Sequence, residues 1–163
     1  MTDSVDLVPI GAWKGVGKRA GWYGAYLLAC YDDDTETFQA ITKVGTGLKD
    51  EDLETMYQTL SKHTTAKKSS YVVSSAMKEP DVWFDDIMVW EVKGADLTIS
   101  PAYTAAAGLV DESKGISLRF PRYLRTRDDK KPEEATTATQ IATLYNKQSL
   151  CVEKDLKKQH NFY

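Results

Sequence analysis

Apolar positions along this chain follow three patterns, and each predicts a different kind of element. Val5 to Trp13 (VDLVPIGAW) reads as a first strand, with Pro9 marking an edge or bulged position. Ala25 to Tyr31 (AYLLACY) is continuously apolar between turn residues, which fits a strand buried on both faces. Asp32-Asp33-Asp34-Thr35-Glu36 turns the chain, and Phe38 to Val44 completes a hairpin that Gly45 and Gly47 end. Leu53, Met56, Tyr57 and Leu60 then recur at i, i+3, i+4, i+7, predicting a helix with one apolar, core-facing side. Asp50 is its expected N-cap, and Glu51, Asp52 and Glu54 suit the positive end of its dipole.

The middle of the chain is more broken. His63 to Ser70 reads as a polar surface loop, Tyr71 to Ser75 as a short strand, and Pro80 to Asp86 as a turn whose aromatics cover the core. Val89 to Ile99 (VWEVKGADLTI) alternates as one strand, with Gly94 as a bulge. Ile116, Leu118 and Phe120 alternate with Ser117 and Arg119 until Pro121 interrupts, and beyond it Tyr123, Arg125 and Arg127 are expected to share a face. After Pro132 the period becomes helical: Thr137 and Gln140 have capping-box spacing, and Ala138, Ile141, Ala142 and Tyr145 form a stripe. Residues 1–150 therefore read as one β-rich domain with one or two helices, suggesting a small barrel. Residues 151–163 read as a polar, loosely held tail.

Composition narrows the class. A chain of 163 residues, 42% apolar and 28% charged, suits a single domain with its own core. No apolar run reaches membrane-spanning length, and the N-terminus lacks a signal pattern, so no membrane partner is expected. Cys30 and Cys151 have no metal spacing and read as reduced thiols; His63 and His160 have no partner motif. The three adjacent aspartates lack the glycine and distal glutamate of a calcium loop, so a solvated turn is expected and no metal site is assigned.

Charge changes the picture more. The chain carries 21 Lys+Arg against 24 Asp+Glu, a net charge of -3, yet residues 115–131 hold Arg119, Arg122, Arg125, Arg127, Lys130 and Lys131 against only Asp128 and Asp129. Such a block is either an edge strand charged against aggregation or a surface for a polyanion. Arginines and an aromatic gathered at a proline favour the polyanion. A second candidate is KGVGKRAGWYG, where glycines surround Lys14, Lys18 and Arg19 and allow close backbone approach to phosphate. It could equally be a flexible hairpin loop, and it is no P-loop, because no Gly-Lys-Ser/Thr opens a helix.

The segment LRFPRYLRTRDDK resembles the last nucleotidyltransferase motif of ATP-dependent DNA ligases, with Arg127-Asp128-Asp129-Lys130 on its Arg-x-Asp-Lys core. The likeness is to the eukaryotic DNA ligase I type and runs from about Val5 to about Gln148. It implies a mainly β domain with helices: an OB-fold, a five-stranded Greek-key barrel, with a C-terminal helix. It implies that Arg127 and Lys130 approach the ATP phosphates, that Asp129 positions the lysine, and that Lys18, Arg19, Arg119, Phe120 and Arg122 meet DNA. At Val16 and Trp22 relatives carry basic residues, a departure in the loop. In this family ATP adenylates a lysine in a Lys-x-Asp-Gly motif of a separate nucleotidyltransferase domain. That motif is absent here. The chain is accordingly expected to be one domain of an enzyme, unable to seal DNA alone. The resemblance implies ATP and Mg2+ for the full-length protein, with neither expected on this domain alone. The implied partners are nicked duplex DNA and the nucleotidyltransferase domain of the same parent chain, and the implied compartment is the nucleus.

Phe120 has two readings. Alternation puts it in the core with Ile116 and Leu118, whereas the resemblance makes it a minor-groove wedge beside the nick; the wedge is preferred. Three further readings compete: a stand-alone OB module binding single-stranded nucleic acid through Trp13, Trp22 or Tyr23; the OB domain of an RNA-capping guanylyltransferase, which shares the last motif; and a polypeptide-only interaction module.

Overall fold

A computed structural model describes the backbone of residues 3–160 and the side chains of residues 3–150. In chain order the elements are β1 (Val5–Lys14), β2 (Tyr23–Asp32), β3 (Thr37–Val44), α1 (Asp50–Leu60), β4 (Thr64–Thr65), β5 (Tyr71–Val72), β6 (Val82–Phe84), β7 (Trp90–Lys93), β8 (Asp96–Ser100), β9 (Gly115–Arg119), β10 (Arg122–Thr126) and α2 (Ala138–His160). The fold is mainly β, with a C-terminal helix, as expected.

The sheet is built around β1. Along one edge β1 pairs antiparallel with β2; its other edge is divided, Val5–Leu7 pairing with β7 and Gly11–Ala12 with β6. Pro9 falls between those two partners, at a bulge against β2, where its missing N–H breaks no ladder. The bulge also reverses which side chains face which way. Leu7 and Ala12 enter one apolar cluster, whereas Val8, Ile10 and Trp13 enter a second on the opposite face. The unbroken AYLLACY run has the same cause: Tyr26, Leu28 and Cys30 face the first cluster, Leu27 and Ala29 the second. Burial pushes the Cys30 thiol up to about 12, so this free cysteine is an inert core group. The side chain of Cys151 lies outside the described residues.

The strand order is β10-β7-β1-β2-β3-β5, with β6 also on β1 and β4 on β6; β8 and β9 form a separate pair. That pair lies against β3, where the Thr42 hydroxyl donates to Leu118 O at 2.8 Å. Aromatic rings fill the interior. Trp90 meets Tyr26 edge-on at 4.9 Å and Tyr123 at 5.1 Å, and Tyr23 meets Phe84 at 5.3 Å. Leu53, Met56 and Leu60 of α1, and Ala138, Ile141 and Ala142 of α2, close the same cluster.

Several sequence expectations are corrected. Val89–Ile99 is not one bulged strand: β7 and β8 belong to different sheets, and Gly94 is the corner between them. A Cβ there would stand 2.3 Å from Leu118 Cδ1, so the close approach of β9 requires glycine. The N-cap of α1 is Lys49, whose backbone N–H donates to the Asp52 carboxylate at 3.0 Å; Asp50 is the first helical residue. The Pro80–Asp86 turn contains β6, and the polar loop after His63 contains β4. In that loop Lys68 pairs with Asp85 at 3.0 Å and Asp86 at 2.8 Å. The Thr137–Gln140 capping box is present, Thr137 N–H donating to Gln140 Oε1 at 2.9 Å. The helix backbone it starts continues past Ser149 to His160.

Candidate nucleic-acid and phosphate interface

The basic stretch forms β9, a break, and β10, and the break decides what its residues can touch. Ile116 and Leu118 are buried as alternation requires. Phe120 is not: its φ is 51°, in the left-handed region that a phenylalanine rarely occupies, and its ring is 74% exposed. The backbone twist before Pro121 therefore turns the ring outward, which overrides the core placement read from alternation. Arg119 lies beside it, with its guanidinium carbon 5.3 Å from the ring centre and its Nε and Nη2 on the Asp96 carboxylate at 2.6 and 3.0 Å. Phe120, Pro121 and Arg122 edge an open hollow with Lys43, Gly45 and Thr46. Tyr123 N–H donates to Thr46 O at 2.9 Å and anchors the start of β10.

The Lys14–Gly24 loop holds a short 3-10 turn at Gly17–Arg19. Lys18 is exposed, while Arg19 is half-buried and spends one N–H on Gly24 O at 2.7 Å. Val16 is 84% exposed at the position where a basic residue was expected in relatives. The aromatics named as stacking platforms are poorly placed for that work. Trp13 and Tyr23 are buried in the core, and Trp22 is half-buried with its indole N–H on the Glu54 carboxylate. The single-strand reading loses its platforms.

At the far end of β10 lies a second group of charges. Arg127 grips Asp129 with a two-point fork, Nε to Oδ1 at 3.0 Å and Nη2 to Oδ2 at 2.9 Å. Its Nη1 reaches Asp6 at 3.3 and 3.4 Å, and Lys130 Nζ donates to Asp6 Oδ2 at 2.7 Å. Asp129 thus holds the arginine and not the lysine, contrary to expectation, and the lysine's acid is Asp6. The fork draws the Asp129 carboxyl down to about 2 and raises the Arg127 guanidinium. Tyr123, Arg125 and Arg127 do not share a face, because β10 shifts register against β7 between Tyr123 and Arg125. Tyr123 enters the core, and Arg125 turns out to Glu91 at 2.6 Å. At about 3.3 Å per residue, β10 separates the Phe120 end from the Arg127 end by roughly 16 Å.

Asp6 was missed in the sequence, although a signal existed. It interrupts VDLVPIGAW with a carboxylate, and a half-buried acid in an otherwise buried strand needs a cationic partner. Asp32, the last residue of β2, braces the turn that follows. Asp32 accepts from Asp34 N–H at 3.1 Å, Thr35 Oγ1 at 2.9 Å and Gln39 Nε2 at 3.2 Å.

Residues 19–130 match the family model of the ATP dependent DNA ligase C terminal region. The chain belongs to that family. It is 58% identical over 146 residues to DNA ligase 1 of Arabidopsis thaliana, covering 90% of this chain and 18% of that protein. It is 53% identical over 150 residues to DNA ligase 1 of Dictyostelium discoideum, covering 92% of this chain and 13% of the relative. The ligase-family chain thus spans under a fifth of the length of these curated relatives. Among solved structures, it resembles the ligase domain from M. tuberculosis LigD, with a TM-score of 0.58 and 22% identity over 82% of this chain and 38% of that one. A likeness at that identity speaks to fold, and it agrees with the mainly β ligase-domain architecture described above.

Proposed function

We propose that this ligase C-terminal region is an OB domain that works in two orientations on a partner nucleotidyltransferase domain of the same parent chain. In the first, Arg127 and Lys130 meet the β- and γ-phosphates of ATP while the partner's lysine attacks the α-phosphorus and pyrophosphate leaves. Arg127 has five N–H donors: Nε and one on Nη2 go to Asp129 and Nη1 meets both Asp6 oxygens, which leaves the second Nη2 N–H without a partner among the described residues. Lys130 spends one of three on Asp6. The remaining donors suit phosphate oxygens, and Mg2+ accompanies the nucleotide in the full-length enzyme. In the second orientation, reached by a hinge motion, Lys18, Arg19, Arg119 and Arg122 face the backbone of nicked duplex DNA and Phe120 enters the minor groove. The domain alone neither adenylates nor seals, and its proposed compartment is the nucleus.

One observation carries this reading: the exposed Phe120, held at a positive φ between Arg119 and Arg122, lies at the opposite end of β10 from the Arg127–Lys130 pair. The two chemistries occupy different ends of one strand, so they can be separated by mutation. In a full-length ligase carrying this chain, Arg127→Ala or Lys130→Ala should slow self-adenylation by roughly 100- to 1,000-fold. Sealing of a pre-adenylated nick should be largely spared. Equal losses in both assays would sink the assignment.

A further inference from the structure

We infer that Asp6 is a positioning residue for adenylation: one carboxylate, delivered by β1, holds Arg127 and Lys130 side by side so that both present their free N–H groups to the same phosphate chain. The inference rests on the proposed role of those two cations and goes beyond the motif that contains them, since Asp6 lies 124 positions from Lys130 in sequence.

The geometry is specific. Two cations brought together repel each other, and their long side chains have many rotamers. A carboxylate between them removes both obstacles. Asp6 Oδ2 takes Lys130 Nζ at 2.7 Å, and both its oxygens face Arg127 Nη1 at 3.3 and 3.4 Å. Asp6 is itself well held. Its backbone N–H donates to Thr136 Oγ1 at 2.9 Å, its carbonyl accepts from Thr136 N–H at 2.8 Å, and its side chain is only 13% exposed. On the other side Asp129 fixes the Nε edge of the guanidinium. The arginine is therefore clamped on two edges, and the uncommitted donors of both cations are the groups left for a ligand. Asp6 and Lys130 also line a cleft between β1 and α2, whose wall includes Lys147 and Gln140 together with the acids Asp3 and Glu134; Arg127, its side chain 18% exposed, lies outside that wall. A phosphate chain can reach Lys130 without unfolding anything. One acid thus gathers two motif cations, and one of them, Lys130, stands in the wall of the cleft.

The test uses a full-length ligase carrying this chain and the near-isosteric Asp6→Asn, which keeps shape and backbone bonds but removes the charge. Single-turnover adenylation at saturating ATP should fall roughly ten- to hundredfold through misplacement of the two cations. Sealing of a pre-adenylated nick should be unchanged. In an Arg127→Ala/Lys130→Ala background, Asp6→Asn should cause no further loss, because Asp6 acts only through those residues. Adenylation at the wild-type rate overturns the inference. So does an additive loss in the double-variant background, or an equal fall in both assays with a lowered Tm, since either means a purely structural role. If the double variant itself adenylates normally, the proposed role of Arg127 and Lys130 has failed, a result separable from failure of Asp6 alone.

Discussion

The Arg119 guanidinium stands 5.3 Å from the Phe120 ring centre while its N–H fork is held by Asp96, so charge and ring are presented together at the break between β9 and β10. A cation over an aromatic face adds some attraction, but an exposed site keeps it modest. Phe120 otherwise buries little of its ring and sits at a φ that costs an ordinary residue about 1 kcal/mol or more. Phe120→Ala should therefore change stability by less than about 1 kcal/mol. Phe120→Gly should melt no lower than Phe120→Ala, since glycine accepts a positive φ. Nick sealing should fall in both, with adenylation preserved. Calorimetry beside a gel-based sealing assay separates these effects, and a Tm drop expected of a lost core phenylalanine would remove the wedge.

Gly47 predicts the opposite balance. Its φ is +93°, and an added Cβ would lie 2.4 Å from Tyr123 O and 2.8 Å from Tyr123 N. That contact joins the end of the β3 hairpin to the start of β10, where Thr46 O accepts from Tyr123 N–H. Gly47→Ala must open this junction, at a cost of roughly 1–3 kcal/mol for overpacking and about 1–3 more for the strained φ. Thermal melting of the isolated domain should show a loss of several degrees. An unchanged Tm would mean that the Tyr123 anchor contributes little.

DNA binding by the isolated domain should be weak and strongly salt-dependent, because the chain has a net charge of -3 and its cations are localised. Arg119 and Arg125 are already paired with Asp96 and Glu91. If about four cations, Lys18 and Arg122 among them, meet phosphate, log K should fall with log salt at a slope of roughly -3 to -4 on duplex DNA. Arg122→Ala should make that slope shallower by about one. Fluorescence anisotropy across a salt series reads both, and a flat series would remove the basic surface from consideration.

The Arg127–Asp129 fork predicts a titration. The Asp129 carboxyl is depressed to about 2 from an ordinary aspartate value of roughly 3.9. A carboxyl depressed on folding contributes stability that is fully present above its unfolded value and is lost as pH falls through the folded one. The contribution should disappear between about pH 4 and pH 2, and the clamp should be intact throughout the neutral range. Carbon-13 NMR of the Asp129 carboxyl should show a midpoint near 2 that rises toward the ordinary value in Arg127→Ala. A midpoint near 4 in the unsubstituted domain would mean that the fork does not persist in solution.

What the sequence determined by itself was whatever depends on local periodicity and local chemistry. The doubly buried β2, the apolar face of α1, the Thr137–Gln140 cap and the break at Pro121 all follow from neighbours within a turn or a strand. The motif in residues 115–131 was legible for the same reason: its cations are adjacent in the chain. Local pattern failed where distant elements meet. Alternation could not show that Gly94 is a corner, because the reason is the Leu118 side chain packed against it from β9. It put Phe120 inside, because a single left-handed residue inverts a side chain without changing the sequence period. Asp129 stands one position from Lys130 and was assigned to it, yet the fork geometry of Arg127 claims Asp129, and β1 carries Asp6 to the lysine from the other end of the chain. An ion pair forms by distance in space and directional fit of its donors, and only the tertiary structure brings residues 6, 127 and 130 within that distance.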